Sequence, residues 1–378
     1  MARIRDIRLI PLAYHMAPIK AYGMARRLVS SRGTTLVEVE TEDGVVGLGE
    51  AWGPAKAAAA YLEVIKDQFV GFELYDHAHV WSRITSGMYH LGLQNQMTAV
   101  ASGINIAIYD AIGKIHGLPV CKLLGGKGRN RIPVYASGGY LTHDPDNQLQ
   151  AQLERVADKG FPGAKFKIGI SPKSDEERVA LARRILGEDT LLLVDVNGNY
   201  TLDQTLESMR RTAPYGIHYY EEPLPPQDVA GYKLLAQRAP LPVAAGEALY
   251  TMFDFDRLIS ARAVDVVQPD LTLCGGLDEA RAIAVLCRLH NVGLSPHVWG
   301  SPVGLAAALH FMAALSDYPH TDHLPHPRMV EYDVGENPLR DHLLAHPLRP
   351  VNGQIAVPDA PGLGIELDPD AVKRFKVE

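Results

Sequence analysis

Three acidic residues recur at one interval in the second half of the chain. Asp195, Glu221 and Glu247 stand 26 residues apart, and each follows a short apolar run: Leu191 to Val194, Ile217 to Tyr220, and Pro242 to Gly246. That interval is one strand–helix unit, so the three carboxylates are expected at the C-terminal ends of consecutive parallel strands. Carboxylates gathered there repel one another unless a cation sits among them. Oxygen-only ligands select a hard ion, and magnesium, which keeps positions open for substrate, is the expected one. Any one of these acids could simply cap the next helix; three in register argue for a site.

One unit earlier stands Lys165-Phe166-Lys167. Alternate residues of a strand share a face, so both lysines should point into the same mouth. Two adjacent ammonium groups disfavour each other's charge, which is expected to lower the pKa and suit a lysine to act as a base. One and two units later come Asp270 and His297. A carboxylate beside an imidazole fixes its tautomer and raises its basicity. Lysine on one side and a His–Asp pair on the other would flank a substrate held at the acids. The proton next to a carboxylate is very weakly acidic, and removing it needs cations to stabilise the enediolate.

Those residues need a barrel to hold them. From about Pro133, short apolar runs alternate with amphipathic helices: Pro133 to Ala136, Ala164 to Ile168, Leu191 to Val194, Ile217 to Tyr220, Pro242 to Ala245, Val264 to Val267 and Gly293 to Ser295. Seven or eight such units predict a (β/α)8-type barrel. A doubly wound sheet is the other arrangement, but no G-x-G-x-x-G follows a strand. Ser174 with Glu177 and Thr201 with Gln204 read as capping boxes, and Gly187 as a helix stop. The first part reads as α+β: a strand over Arg3 to Ala13, a hairpin over Leu36 to Val46 turning at Asp43-Gly44, and helices over Lys56 to Phe69 and Gln96 to Ile115. Three segments are therefore expected: an α+β capping domain over 1–128, the barrel over 129–328, and a tail over 329–378 that returns to the cap.

Composition agrees with an enzyme of small molecules. The chain has 378 residues, 47% hydrophobic and 21% charged, which suits a folded protein with a large core. A net charge of −7 argues against a nucleic-acid partner. Cys121, Cys274 and Cys287 fit neither a disulfide framework nor a zinc site. No run reaches the roughly 20 apolar residues of a membrane span, and residues 1–13 do not look like a signal peptide. A cytoplasmic location is expected, with a small carboxylate and further copies of the chain as partners.

The ordered set Lys165-Phe-Lys167, Asp195-Val-Asn197, Glu221-Glu-Pro223, Gly246-Glu247, Gln268-Pro-Asp270 and Pro296-His297 resembles the mandelate racemase subgroup of the enolase superfamily. The N-terminal cap and Pro361-Gly-Leu-Gly364 extend the resemblance over essentially the whole chain. Within the subgroup, His297-Val-Trp299-Gly300, the Ala306 to Ala314 helix and Glu331-Tyr-Asp-x-x-x-Asn337-Pro338 look most like galactarolactone cycloisomerase and related acid-sugar dehydratases. The resemblance implies magnesium on Asp195, Glu221 and Glu247. It implies Lys167 as one base, tuned by Lys165, and His297 held by Asp270 as the other. It implies substrate contact at Asn197 and a hydrogen-bond donor to the enediolate after the last strands, for which Glu331, Asp333 and Glu336 all qualify. Specificity in such proteins lies in cap loops near residues 20 and 50; here these carry Lys20, Tyr22, Arg26, Arg27 and Trp52, and Trp299 is a further candidate substrate contact. The cations there suit a second carboxylate, or are a solvated turn. The reaction implied is α-proton abstraction followed by β-elimination to a 2-keto-3-deoxy acid. A racemase or epimerase, or a non-catalytic sugar-acid sensor, would use the same residues differently.

Overall fold

The charge–aliphatic alternation at the N-terminus becomes β1 (Ile4–His15). A short hairpin, β2 (Tyr22–Met24) and β3 (Arg27–Val29), leads into β4 (Ser31–Thr41), which turns through Gly44 into β5 (Val46–Ala51). Strands β1, β4 and β5 form one antiparallel sheet. Helices α1 (Ala55–Phe69), α2 (His77–Gly87) and α3 (Gln96–His116) cover it. The four-residue repeat in α3 suggests one buried face, yet every residue from Met97 to Gly113 except Asn105 is buried. The reason is that α3 lies between the cap sheet and the barrel. Gly47 and Gly49 let it approach: a Cβ on either would sit 2.0 Å from a carbonyl oxygen of α3.

The computed structural model describes residues 2–316 and 326–377. After α4 (Val120–Leu123) the barrel begins with β6 (Arg131–Gly138), followed by a small strand β7 (Leu141–Thr142) and α5 (Leu149–Ala157). Then come β8 (Gly163–Lys167), α6 (Pro172–Leu186), β9 (Leu191–Asp195), α7 (Leu202–Thr212), β10 (Ile217–Glu221) and α8 (Val229–Ala236). The series continues with β11 (Val243–Ala245), α9 (Thr251–Ile259), β12 (Val266–Val267), α10 (Gly276–His290), β13 (Gly293–Leu294), α11 (Pro302–Ala314) and β14 (Val330–Asp333). All neighbours from β6 and β8 through β13 are parallel, and β14 pairs in parallel with β6. The ring closes where Glu331 N donates to Pro296 O at 3.4 Å and Ser295 Oγ donates to Met329 O at 2.8 Å. Tyr135, Leu193, Tyr219, Ala244 and Met329 fill the barrel interior.

Several local expectations change. The eighth barrel strand falls inside 329–378, in the segment assigned to the tail; its four residues lack the apolar run of the others because two of them, Glu331 and Asp333, are acids. Within the tail, β15 (Gln354–Ala356) pairs with β6, not with the cap. The chain past α12 (Pro338–His342) does reach the cap at its end: after α13 (Pro369–Phe375), Val377 N donates to Pro11 O. Helix α6 starts three residues before its expected Ser174 box, on Ser171, whose hydroxyl accepts from Ser174 N. Pro172 explains this, since the first helical turn is where proline fits. The Thr201–Gln204 box is formed in both directions, and Gly187 ends α6 at positive φ.

The cap is fastened to the barrel by a buried cation. Arg32, at the start of β4, lies 3.2 Å from Asp333, at the end of β14, and both are buried. Its guanidinium sits 4.0 Å over the Tyr22 ring and 5.0 Å from Trp299. Burial alone would raise the Asp333 pKa, but Arg32 and Arg340 outweigh it and hold it below 3.8. A depressed folded-state pKa means this stabilisation is complete above the ordinary aspartate pKa and is lost as pH falls below it. Arg32→Ala should destabilise the protein by up to about 3–5 kcal/mol, because it removes the nearer of the two cations that hold a buried carboxylate. Arg32→Ala with Asp333→Ala should cost less than the two single changes added together. Denaturant midpoints of the three variants check this; strict additivity would mean the pair is not coupled.

Candidate active site

The barrel register delivers the acids as a group. Lys167 pairs with Asp195 across β8 and β9, and Asp195 with Glu221 across β9 and β10. Glu247 follows β11 after Gly246, whose φ of +139° makes the turn. Ligand oxygens of Asp195, Glu221 and Glu247 all lie within 4.8 Å of one another. Asn197 braces two of them: its N–H donates to Asp195 at 2.8 Å and its side-chain amide to Glu247 at 3.4 Å. Gln268 donates to Glu221 at 2.6 Å.

This arrangement fits a divalent cation. Glu247 Oε2, Asn197 Oδ1 and Glu222 Oε1 are buried without a hydrogen-bond partner. Buried oxygens rarely go unpaired. Burial, with Asp195, Glu331 and Glu247 nearby, outweighs Lys165 and pushes Glu221 well above the usual carboxylate range. Glu222, the neighbour within Glu221-Glu-Pro223, is raised in the same way, with Glu247 and Asp195 adding to its burial. The cluster holds more negative charge than its lysines neutralise.

Both lysines enter the mouth from β8. Lys165 is bonded to Glu221, lies 2.8 Å from Glu331 and 3.8 Å from Asp195. Lys167 donates to Asp195 at 2.5 Å. The expected mutual depression of their pKa values is overridden. Burial and Lys165 do act to lower Lys167, but Asp195, Glu247 and Glu221 raise it on balance. For Lys165, burial is likewise outweighed by Glu221 and Glu331, and its pKa stands well above 10.5. The two lysines are counter-ions to these acids.

On the other side, His297 Nδ1 lies 2.8 Å from Asp270 Oδ2. The other Asp270 oxygen accepts from Thr272 N at 2.8 Å and Thr272 Oγ1 at 2.6 Å. His297 Nε2 faces inward, 3.5 Å from Glu247 and 3.7 Å from Glu331. Burial disfavours the imidazolium, but Glu247, Glu331 and Asp270 together push its pKa up to about 10.

Of the three acids eligible after the last strands, Glu331 is the one inside the cluster. Asp333 turns to Arg32 and Arg340, and Glu336 is exposed and paired with Lys20 at 3.0 Å. Glu331 accepts from Ser137 at 2.5 Å and from Val298 N at 3.2 Å. Burial would raise it, but Lys165 and His297 bring its pKa to about 2. An ionised carboxylate only accepts, so the expected donor role requires a proton on Glu331.

The cap residues are divided. Tyr22 stacks near Trp299, whose indole N–H donates to Tyr140 Oη at 3.2 Å, and Tyr140 in turn donates to Asp333 at 2.9 Å. Trp52 is 38% exposed, and its backbone N–H donates to Thr272 O at 3.1 Å. Lys20 lines a cavity of about 380 Å³ outside the mouth, together with Tyr22, Arg32, Tyr140 and Arg155. Arg26 and Arg27 are exposed. The buried cation of this region is Arg32, which sequence reasoning passed over because a single arginine at a strand start carries no distinguishing pattern. Among the described residues no helix is long and apolar enough to cross a membrane.

Residues 6–125 match the mandelate racemase/muconate lactonizing enzyme N-terminal domain, and residues 148–371 match the enolase C-terminal domain-like model. The chain is 37% identical to D-galactarolactone cycloisomerase of Agrobacterium fabrum over 92% of each protein. It is 30% identical to arabinonate dehydratase of Saccharolobus solfataricus over 99% of each. Among solved structures, 3,6-anhydro-D-galactonate cycloisomerase from Zobellia galactanivorans superposes over 100% of both chains, with a TM-score of 0.88 and 30% identity.

Proposed function

Since the chain belongs to the mandelate racemase/muconate lactonizing enzyme family of the enolase superfamily, and is an enzyme of that kind, we propose that it abstracts the α-proton of an acid sugar or its lactone and then eliminates a β-oxygen. The observation that carries this reading is the placing of Lys167 and the His297–Asp270 pair on either side of three clustered carboxylates. The strands bearing Lys167 and His297 are separated around the ring by two strands on one side and four on the other.

Family members use a divalent metal, and here Asp195, Glu221 and Glu247 would hold it; we assign magnesium because the donors are hard oxygens. When bound it supplies positive charge where the enediolate develops. Lys167 acts as the neutral amine: it takes the α-proton on its face of the substrate, and the C–H electron pair moves into the enediolate. Lys165 then meets the substrate carboxylate, which releases Glu331 from its present ion pair. His297, kept in one tautomer by Asp270, delivers a proton to the departing oxygen. The bond that breaks joins the β-carbon to a hydroxyl, lost as water, or to a lactone ring oxygen, which stays in the product. The resulting enol tautomerises to a 2-keto-3-deoxy acid. The names of the relatives support elimination over racemisation.

The test is a panel of sugar acids and lactones, with detection of 2-keto acid. Accumulation with at least one member is the expected result. Exchange of the α-proton without keto acid would make the protein a racemase or epimerase. Binding with neither would make it a sensor.

A further inference from the structure

Glu50 is a carboxylate of the cap that is buried in the barrel, and the proposed chemistry gives it no part. It sits on β5 and is 1% exposed. It accepts from Ser301 N at 2.8 Å, Ser301 Oγ at 2.6 Å, Gly304 N at 2.8 Å and Thr34 Oγ1 at 2.5 Å. Ser301 is the N-cap of α11, and its own hydroxyl accepts from Val303 N at 3.1 Å.

A helix start leaves several N–H groups unpaired, and a capping box satisfies two of them: the N-cap hydroxyl accepts from the third-position N–H, and a glutamate at that third position accepts from the N-cap N–H. Here that third position is Gly304, which has no side chain to offer. Glu50 takes the place of the missing glutamate from the other domain, accepting from both the N-cap and the third-position N–H. Its charge also lies at the positive end of α11. The fit is reciprocal. A Cβ at Gly300 would lie 2.0 Å from Glu50 Oε1, and a Cβ at Gly304 would lie 3.0 Å from Glu50 Oε2. At Gly300 the cap carboxylate fills the space of a side chain; at Gly304 it shares that space with Thr272 Cγ2, 2.9 Å from the Cβ position.

The consequence falls on His297. Ser301 is four residues past it. Two residues past Glu50, Trp52 N donates to Thr272 O, and Thr272 holds Asp270, which orients the imidazole. One short cap segment therefore grips both the loop that carries His297 and the residue that aligns its partner. Lys167 takes its support from the barrel: its N–H donates to Gly139 O, its carbonyl accepts from Arg178, and its ammonium meets Asp195. We infer that Glu50 is a positioning residue that sets the His297 side of the site, and only that side, from the cap. The inference rests on the two-sided reading above.

The experiment uses the full-length protein with Glu50→Gln, which keeps the volume but offers the helix one acceptor oxygen in place of two. Ser301→Ala is the milder second variant. Two readouts are taken. Amide hydrogen exchange over residues 298–305 should rise about tenfold while that of β8 is unchanged, as for a lost helix cap. With a pair of α-epimeric sugar acids in D₂O, exchange of the epimer facing His297 should fall about 10- to 100-fold, and that facing Lys167 by less than about threefold. Equal losses for both epimers, or none, would overturn the inference, as would unchanged amide exchange. If the wild-type protein exchanges neither epimer, the proposed function fails, and the amide exchange, with the NMR titration of His297 in the two variants, still decides the positioning claim: an unmoved His297 resonance overturns it.

Discussion

Lys167→Ala should abolish α-proton exchange on one face of the substrate and leave it on the other. General-base catalysis contributes about 10²- to 10⁴-fold, and the loss on the Lys167 face should be of that size. His297→Asn should give the mirror result. The ground is geometric: Lys167 meets the cluster at Asp195, while His297 meets it at Glu247 and Glu331 from strands beyond it. The measurement is mass-resolved deuterium uptake at the α-carbon, with each member of an epimeric pair. Lys167→Ala removes a buried counter-ion of Asp195, so its unfolding midpoint should fall, and exchange is compared well below the midpoints of all the proteins. If each variant lost exchange on both faces, a single-base mechanism would replace this one.

Removing divalent metal should cost at least about 10³-fold in kcat/KM, since several kcal/mol of charge stabilisation at the enediolate would be lost. Glu247→Gln should do nearly as much. Binding should also be visible without turnover. A cation among Asp195, Glu221 and Glu247 competes for Glu247, one of the three carboxylates that support the imidazolium. The His297 pKa, held up at about 10 by Glu247, Glu331 and Asp270, should therefore move down when magnesium is added. For α-proton exchange on its own face His297 must act as a base, and a base must be unprotonated, so this shift favours that exchange near neutral pH. NMR titration of the imidazole with and without magnesium checks the sign. The unfolding midpoint should rise with magnesium concentration as well. Full activity after exhaustive chelation, or a His297 titration indifferent to magnesium, would remove the metal from the mechanism.

The catalytic register was legible because a parallel barrel converts sequence interval into spatial order. Acids placed at the end of each strand must arrive at one mouth, and alternate residues of β8 must share a face. Asp195, Glu221, Glu247, Lys165, Lys167, Asp270 and His297 could all be picked out on that basis, and the structure brings them together. The eighth strand was less readable. It is four residues long, and two of them are acids, so it lacks the apolar run that marked the others.

What the sequence could not decide was which charges neutralise which. Three acids near residue 331 were equivalent by spacing; Arg32, 301 residues from Asp333 in the chain, separates them by drawing Asp333 away and leaving Glu331 to Lys165. The lysine pKa values also went the other way, because the acids around each lysine outweigh the lysine beside it. Glu50 is the plainest case. On β5 it reads as one more polar residue after a glycine, and Gly300 and Gly304 read as turn and helix glycines. Only when the cap is folded onto the barrel does the carboxylate enter the space those glycines leave. Local patterns record which residues share an element, and contacts between elements depend on distances that no interval in the chain encodes.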